Sequence, residues 1–596
     1  MNLLTKNWRI KLLRLRYKHL SNSQFINIVS IIVGLFAGLA AVFIKNITHF
    51  IQVLLEGNLI KDIHQAFYFV FPIIGLLLVF FIKKRIIKKK LGQGIPSTLF
   101  AISKKKGIMQ RYQMWSSLIT APLTVGFGGS VGLEAPTVST AASWSSNFAR
   151  FLHLNQKTRT LLIGAAAAGA MASIFKAPIA AIVFAVEIFS LELTMASLIP
   201  LLLASISAVL TSYFFFGNDV LLHFSLSDNF QMEDVLFYAL LGVFCAVISI
   251  YFSKTYFYIL NYFKSFKTGY HRLFVGGLAL GIIVYFVPPL FGEGYEIINS
   301  ILLGNVEAVT RNNFFAVPAT DIWIIGALLL GLVLLKIVAT SFTIGAGGVG
   351  GIFGPTLFTG SIAGYIFALF INYSGLFEHE LSLTNFAMVG MAGLMAGNLH
   401  APLTAIFLIA EITGGYELFV PLMIVASSSY MITRKYVPHN IYHKELAKRG
   451  ELLTHNKDKN VLMMMDINKV IETNFIILKP EMTLGEVVNK AVAKSSRNHF
   501  PVVNDRNEFM GIITLDDIRS IMFDTSLYDE VKVGTLMSAV PEIIDYDKDS
   551  MEVVMNKFKT TGAWNLPIVK NNKYTGFISK SRLLTAYRQK LINVTN

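Results

Sequence analysis

Predominantly apolar stretches run over residues 25–45, 66–82, 114–127, 160–189, 196–216, 235–262, 273–291, 321–344, 357–373, 385–412 and 418–433. A helix needs about 20 apolar residues to cross a bilayer, and many of these stretches are shorter or are cut by Gly and Pro. The pattern predicts a polytopic membrane domain containing broken helices. After Tyr442 the pattern changes. Residues 443–462 are polar, mixed in charge and linker-like, and from residue 463 short apolar strands alternate with helical segments.

The apolar part repeats itself. Gly126-Phe-Gly-Gly-Ser-Val-Gly-Leu-Glu-Ala-Pro136 has a counterpart in Gly345-Ala-Gly-Gly-Val-Gly-Gly-Ile-Phe-Gly-Pro355. Thr124 matches Thr343, and Glu134 matches Phe353. A second pair is Phe175-Lys-Ala-Pro-Ile-Ala-Ala-Ile-Val-Phe-Ala-Val-Glu-Ile188 and Leu399-His-Ala-Pro-Leu-Thr-Ala-Ile-Phe-Leu-Ile-Ala-Glu-Ile412, which aligns Glu187 with Glu411. Two halves, about 25–216 and 235–432, are expected, with their relative orientation left open by the residues. Helices that stop at membrane depth leave amide N–H groups unbonded. Gly allows the backbone to approach a ligand closely, and Pro fits a first helical turn. Each loop therefore aims a positive helix end at its occupant, and an anion suits that place. Ordinary helix-breaking loops are the plainer alternative.

Composition agrees with a membrane protein. The chain has 596 residues, 54% hydrophobic and 15% charged, with a mean hydropathy of +0.57. Its net charge of +16 is clustered at Lys6–Lys18, Lys83–Arg85, Lys88–Lys90 and Lys104–Lys106. Basic flanks of apolar segments face the cytoplasm, so the N-terminal segment 1–24 is expected there, and the juxtamembrane placement argues against nucleic acid. Cys245 is the single cysteine, which excludes an intrachain disulfide.

The tail holds two similar units, 463–525 and 530–592. In the first, Phe475–Leu478 reads as a strand, Thr483-x-x-Glu486 as a capping box, and His499–Val503 and Phe509–Thr514 as strands around a turn at Asn504–Asn507. In the second, Glu542–Ile544, a helix start at Asp549-x-x-Glu552, Trp564–Val569 and Tyr574–Ser579 follow the same order.

Gly92-Gln-Gly-Ile-Pro96, Gly132-Leu-Glu-Ala-Pro136 and Gly351-Ile-Phe-Gly-Pro355, in this order and followed by Asn440-Ile-Tyr442, resemble the CLC family of chloride channels and chloride/proton antiporters. The tail resembles a pair of CBS domains. The resemblance implies an all-α membrane domain (25–442) of two inverted-topology repeats with an α/β CBS pair. It also implies a homodimer in a cell (inner) membrane, with N-terminus and CBS domains cytoplasmic. It places chloride against the N–H groups of Ile352 and Phe353, the Tyr442 hydroxyl and the Gln93-Gly94 loop, and makes Glu134 the gate. Stripping a small anion of water costs tens of kcal/mol in the Born limit, and one helix end returns about 0.3–2 kcal/mol. Several converging donors are needed, and the motifs supply them.

Two departures stand out. Gln93 lies where the family usually has serine, and Ile188 where proton-coupled members often have a second glutamate. The latter resembles the channel branch, or an exchanger with another proton route. Glu187 is a candidate on a proton path or a buried, hydrogen-bonded structural acid; its residue type leaves both open, as position leaves Tyr442 between pore and membrane interface. Glu411 reads as structural, and Lys176 as a lysine reaching for the interface, with a part in the inner vestibule's potential as the alternative. Gly511-Ile-Ile-Thr514-x-x-Asp517 matches the CBS nucleotide motif, which implies either adenine-nucleotide binding at Thr514 and Asp517 or a purely structural pair. The expected function is channel-like chloride transport regulated by the CBS domains, with no cofactor required. A chloride/proton antiporter is the alternative, and a CBS-linked divalent cation transporter the rival of another class. A cation path would need clustered acids or exposed carbonyls. An intramembrane metalloprotease would need a second His four residues after His379, where Leu383 stands. No metal site and no enzyme activity are expected.

Overall fold

Apolar segments at membrane depth must close their backbone hydrogen bonds internally, and this chain does so with helices. The computed structural model describes residues 20–56, 64–89, 92, 94–192, 194–217, 222, 230–306, 309, 322–375, 380–413, 417–448, 461–462 and 465–595. It divides into two units, Met1–Leu452 and Leu453–Asn596. Gln93, most of the N-terminal segment and most of the 443–462 linker lie outside the described residues.

The first half of the first unit runs α1 Asn22–Glu56, α2 His64–Ile82, α3 Gly94–Lys104, α4 Gln113–Gly126, α5 Glu134–Phe151, α6 Gln156–Phe175, α7 Pro178–Phe189 and α8 Met195–Phe216. The second runs α9 Val235–Ser265, α10 Gly269–Phe286, α11 Tyr295–Leu302, α12 Ile322–Gly345, α13 Phe353–Ser374, α14 Leu383–Leu399, α15 Pro402–Ile412 and α16 Phe419–Tyr436. Seven of the described helices are long and apolar enough to cross a membrane, while α7, α14 and α15 are shorter. The order repeats. The break between α4 and α5 recurs between α12 and α13. The left-handed residue that ends α6, Lys176 (φ 54°), recurs as His400 (φ 52°) after α14.

The mutual orientation of the halves is visible in α7 and α15. Glu187, in the last turn of α7, accepts from the N–H groups of Leu403 (3.1 Å) and Thr404 (2.8 Å) at the start of α15. Glu411, in the last turn of α15, accepts from Ile179 (3.0 Å) and Ala180 (2.7 Å) at the start of α7. The two helices are therefore antiparallel, as inverted repeats require. Each carboxylate satisfies free amides and the positive end of the other helix.

Small residues let the core close. A Cβ on Gly364 of α13 would stand 1.9 Å from the Phe386 carbonyl oxygen of α14, and one on Gly360 2.6 Å from that of Gly390. The polar α5 is nevertheless almost wholly buried. Its Thr137 hydroxyl bonds the Leu133 carbonyl one turn back, which removes the cost of burying it.

In the second unit, β1 Ile471–Glu472, β4 Ile544–Asp545, β5 Asn565–Lys570 and β6 Lys573–Ser579 form one sheet, ordered β1-β6-β5-β4. The strands β2 His499–Val503 and β3 Phe509–Thr514 form a second sheet. Strand β1 pairs antiparallel with β6, so the start of the first repeat completes the sheet of the second. The expected strand at Phe475–Leu478 is not formed: Leu478 makes only an isolated bridge to Val502, and pairing begins earlier, at β1. The expected capping box at Thr483 and Glu486 is present. The helix expected from Asp549 starts instead at Met551, capped by Ser550, because Asp549 accepts from the Asp545 N–H and from Lys557.

Candidate anion site

The two Gly-rich loops meet. Gly132 donates its N–H to the Gly351 carbonyl (2.9 Å), and Gly351 returns one to Gly132 (2.7 Å). The matched threonines cross over: Thr343 accepts from the Ser130 N–H (3.1 Å), and Thr124 from the Val349 N–H (3.0 Å). These reciprocal bonds bring the first turns of α5 and α13 together. The third Pro-bearing turn joins them at Ala135. A Cβ on Gly94, whose φ of +44° suits glycine, would lie 2.9 Å from the Ala135 Cβ, and one on Gly351 2.8 Å from it. Helices α3, α5 and α13 thus begin around one point.

A cavity of about 390 Å³ opens onto this point, lined by Gly94, Ala135, Ile352 and Tyr442. Among the described residues its lining also carries Lys83, Lys264, Arg272 and Lys444, and no carboxylate. Lys83 donates to the Gly347 carbonyl of the second loop. Low-dielectric walls of one charge sign focus the field and raise the local anion concentration. Tyr442 is 4% exposed, and its hydroxyl has no partner among the described residues. The turn that holds it is anchored by Asn440, which donates to the Leu399 carbonyl (2.6 Å) and accepts from the His443 N–H (2.8 Å). A buried hydroxyl left unbonded costs about 1–3 kcal/mol, so one on the wall of this cavity implies a partner. Ile352 and Phe353 are buried at the start of α13, with the Phe353 ring against Phe175 and Phe184.

Glu134 is the first residue of α5 and is 1% exposed. Its carboxylate folds back over Gly132, where a Cβ would stand 2.0 Å from Oε2, and lies beside Gly354 in the first turn of α13. Oε1 accepts from the Tyr295 hydroxyl, and Oε2 has no partner among the described residues. A carboxylate thus sits at the positive end of the opposite half's helix.

Glu293 accepts from the Leu133 N–H (2.8 Å), one residue before Glu134. Lys336, fully buried in α12, donates to the Gly292 carbonyl (3.1 Å) and lies over the Phe358 ring at 4.6 Å. Sequence reasoning missed Tyr295, Glu293 and Lys336. A signal existed for the last, since one lysine inside the apolar 321–344 stretch is costly at membrane depth.

Both Glu187 oxygens are engaged at α15, with the Thr404 hydroxyl as a further donor. Lys176 donates to the Gly217 carbonyl (2.7 Å). In the tail, Thr514 and Asp517 bond each other: Asp517 accepts from the Thr514 N–H (2.7 Å) and hydroxyl (2.8 Å), and Thr514 accepts from the Asp517 N–H (3.3 Å). The matching Ser579 donates to Glu472, which pairs with Arg497 at 2.7 Å. Among the described residues, no group of three or more His, Cys, Asp or Glu is arranged to hold a metal.

Broken helices whose positive ends converge on one cavity within a multi-pass membrane domain suit an anion-transport type of protein. The voltage gated chloride channel family model matches residues 74–434, so the chain belongs to that family, and the CBS domain model matches residues 466–524. The chain is 25% identical to the H(+)/Cl(-) exchange transporter ClcA of Vibrio cholerae, over 70% of this chain and 88% of that protein. It is 29% identical to the voltage-gated ClC-type chloride channel ClcB of Escherichia coli, over 55% of this chain and 74% of that protein. A solved eukaryotic CLC transporter shares the fold over 94% of this chain and 97% of that chain, with a TM-score of 0.60 at 17% identity.

Proposed function

We propose that the protein carries chloride across a cell membrane through the point where α3, α5 and α13 begin, with Glu134 as the gate. The observation that carries this reading is the convergence of three helix N-termini and an unbonded, buried Tyr442 hydroxyl on a cavity lined by four cationic side chains. Partial positive ends hold a dehydrated anion without a full counter-charge, so it can leave again. The ionised Glu134 carboxylate takes the anion's place; once protonated it gives up that place and the path opens. Glu187 serves as a clamp between the halves, matched by Glu411. The functional unit is a homodimer with the tail in the cytoplasm. Adenine nucleotide in the tail would compete for Thr514 and Asp517, which now bond each other; millimolar ATP or AMP then raises the Tm of the full chain, and Asp517→Ala removes the rise.

A chloride/proton exchanger is the second reading. It is favoured by the overlap at Glu134, where one proton taken up frees the seat for one anion, and by the relative named as an exchange transporter. Proteoliposomes under a chloride gradient separate the two. Chloride flux that moves no protons supports the channel, protons driven against their own gradient support the exchanger, and the absence of anion flux overturns both.

A further inference from the structure

A second cavity, of about 830 Å³, lies away from the anion path. It falls within the about 300–1,000 Å³ range of ligand pockets. Its walls are Phe36 and Leu39 of α1 with Trp144 and Phe148 of α5, and Arg111, Arg150 and His153 also line it. The walls are fixed: the Phe36 ring meets Trp144 at 6.0 Å and Phe148 at 6.1 Å, both edge-on. The polar wall groups are already satisfied, with the Trp144 indole donating to the Met114 carbonyl (2.7 Å) and Asn147 to that of Ser143 (2.9 Å). The two arginines and His153 are grouped by the chain's path. Arg150 is in the last turn of α5, His153 just beyond it, and Arg111 just before α4. Among the described residues none of these three side chains has an ion-pair partner, and the cavity lining holds no carboxylate.

We propose that this groove binds one anionic phospholipid, its acyl chain along Phe36, Leu39, Trp144 and Phe148 and its phosphate on Arg111 and Arg150. Charge complementarity selects the occupant. Arg presents a planar donor fork that fits phosphate oxygens, and Phe36 and Leu39 are 38% and 40% exposed on an apolar wall. The end of α3 and the loop before α4 also hold Lys104–Lys106, the basic run expected on the cytoplasmic side. The cytoplasmic leaflet is the anionic one, and basic pockets between helices on that side suit such headgroups. The site is separate from the anion seat and independent of the gate.

The test is native mass spectrometry of the intact protein with phosphatidylglycerol and with phosphatidylcholine of the same acyl chains. The expected result is retention of one phosphatidylglycerol in preference to phosphatidylcholine. That preference falls about fivefold in Arg150→Gln or Arg111→Gln and about thirtyfold in the double variant. Chloride flux and monodispersity in the variants confirm folding, and millimolar inorganic phosphate leaves the bound lipid in place. Equal retention of the two lipids, an unchanged preference in the double variant, or displacement by free phosphate would overturn the proposal.

Discussion

The loops at 126–136 and 345–355 are built on one plan and differ where it matters. Each starts a helix at membrane depth, each has a proline in that helix's first turn, and each lends a threonine hydroxyl to the other. Where one begins its helix with Glu134, the other begins with Phe353. Phe353 is held between Phe175 and Phe184, whereas Glu134 keeps one oxygen unbonded and leans on the opposite helix end. The shared part is scaffold that makes two positive ends converge. The unshared part puts a titratable group on one of them. Symmetry brings the two helix starts together, and one departure from it supplies the titratable group proposed as the gate.

The largest effect is expected from breaking the shared scaffold. Gly351→Val puts side-chain atoms into Ala135, whose Cβ lies 2.8 Å from the added position, and parts the Gly132–Gly351 bridge. Anion flux should fall below detection, while Gly331→Ala, where no described neighbour lies within 4 Å, retains it. Equal flux from both variants would show that the loops need not touch.

The surroundings of Glu134 sharpen the asymmetry. Glu293 bonds the residue before Glu134, and Lys336 bonds the residue before Glu293, so both charges lie close to Glu134. Removing a positive charge there favours the protonated acid, and removing a negative charge favours the ionised one. Lys336→Met should move the flux-versus-pH midpoint upward, Glu293→Gln should move it downward, and the double variant should lie near the wild type. Shifts in the same direction for both single variants would contradict this charge balance.

A smaller effect is expected at the clamps. Glu187→Gln and Glu411→Gln each weaken two charge-assisted bonds to helix-start amides, so each should lower stability by about 1–3 kcal/mol. Thermal unfolding in detergent should show similar losses and leave proton coupling as in the wild type. Loss of coupling in Glu187→Gln alone would return that residue to a proton path.

The scaffold was legible because its needs are local. A proline in the first turn, glycines before it, and a repeat across the halves mark broken helices directly. Glu134 stood out as the one acid in that frame. What was hidden depends on contacts far apart in the chain. Tyr295 and Glu293 reach Glu134 and Leu133 from a turn 160 or so residues on. The engagement of both Glu187 oxygens shows only when α15 is laid against α7. In the tail, β1 pairs with a strand of the other repeat, a partner no local pattern names.

The central claim is that an ionised Glu134 carboxylate competes with the anion for one place. Chloride flux of Glu134→Gln in proteoliposomes, measured from acid to alkaline pH beside the wild type, tests it most directly. Wild-type flux should rise as pH falls and protonation frees the seat, while the glutamine variant should hold the acid-side flux at every pH. A variant whose flux still follows pH as the wild type does would contradict the account.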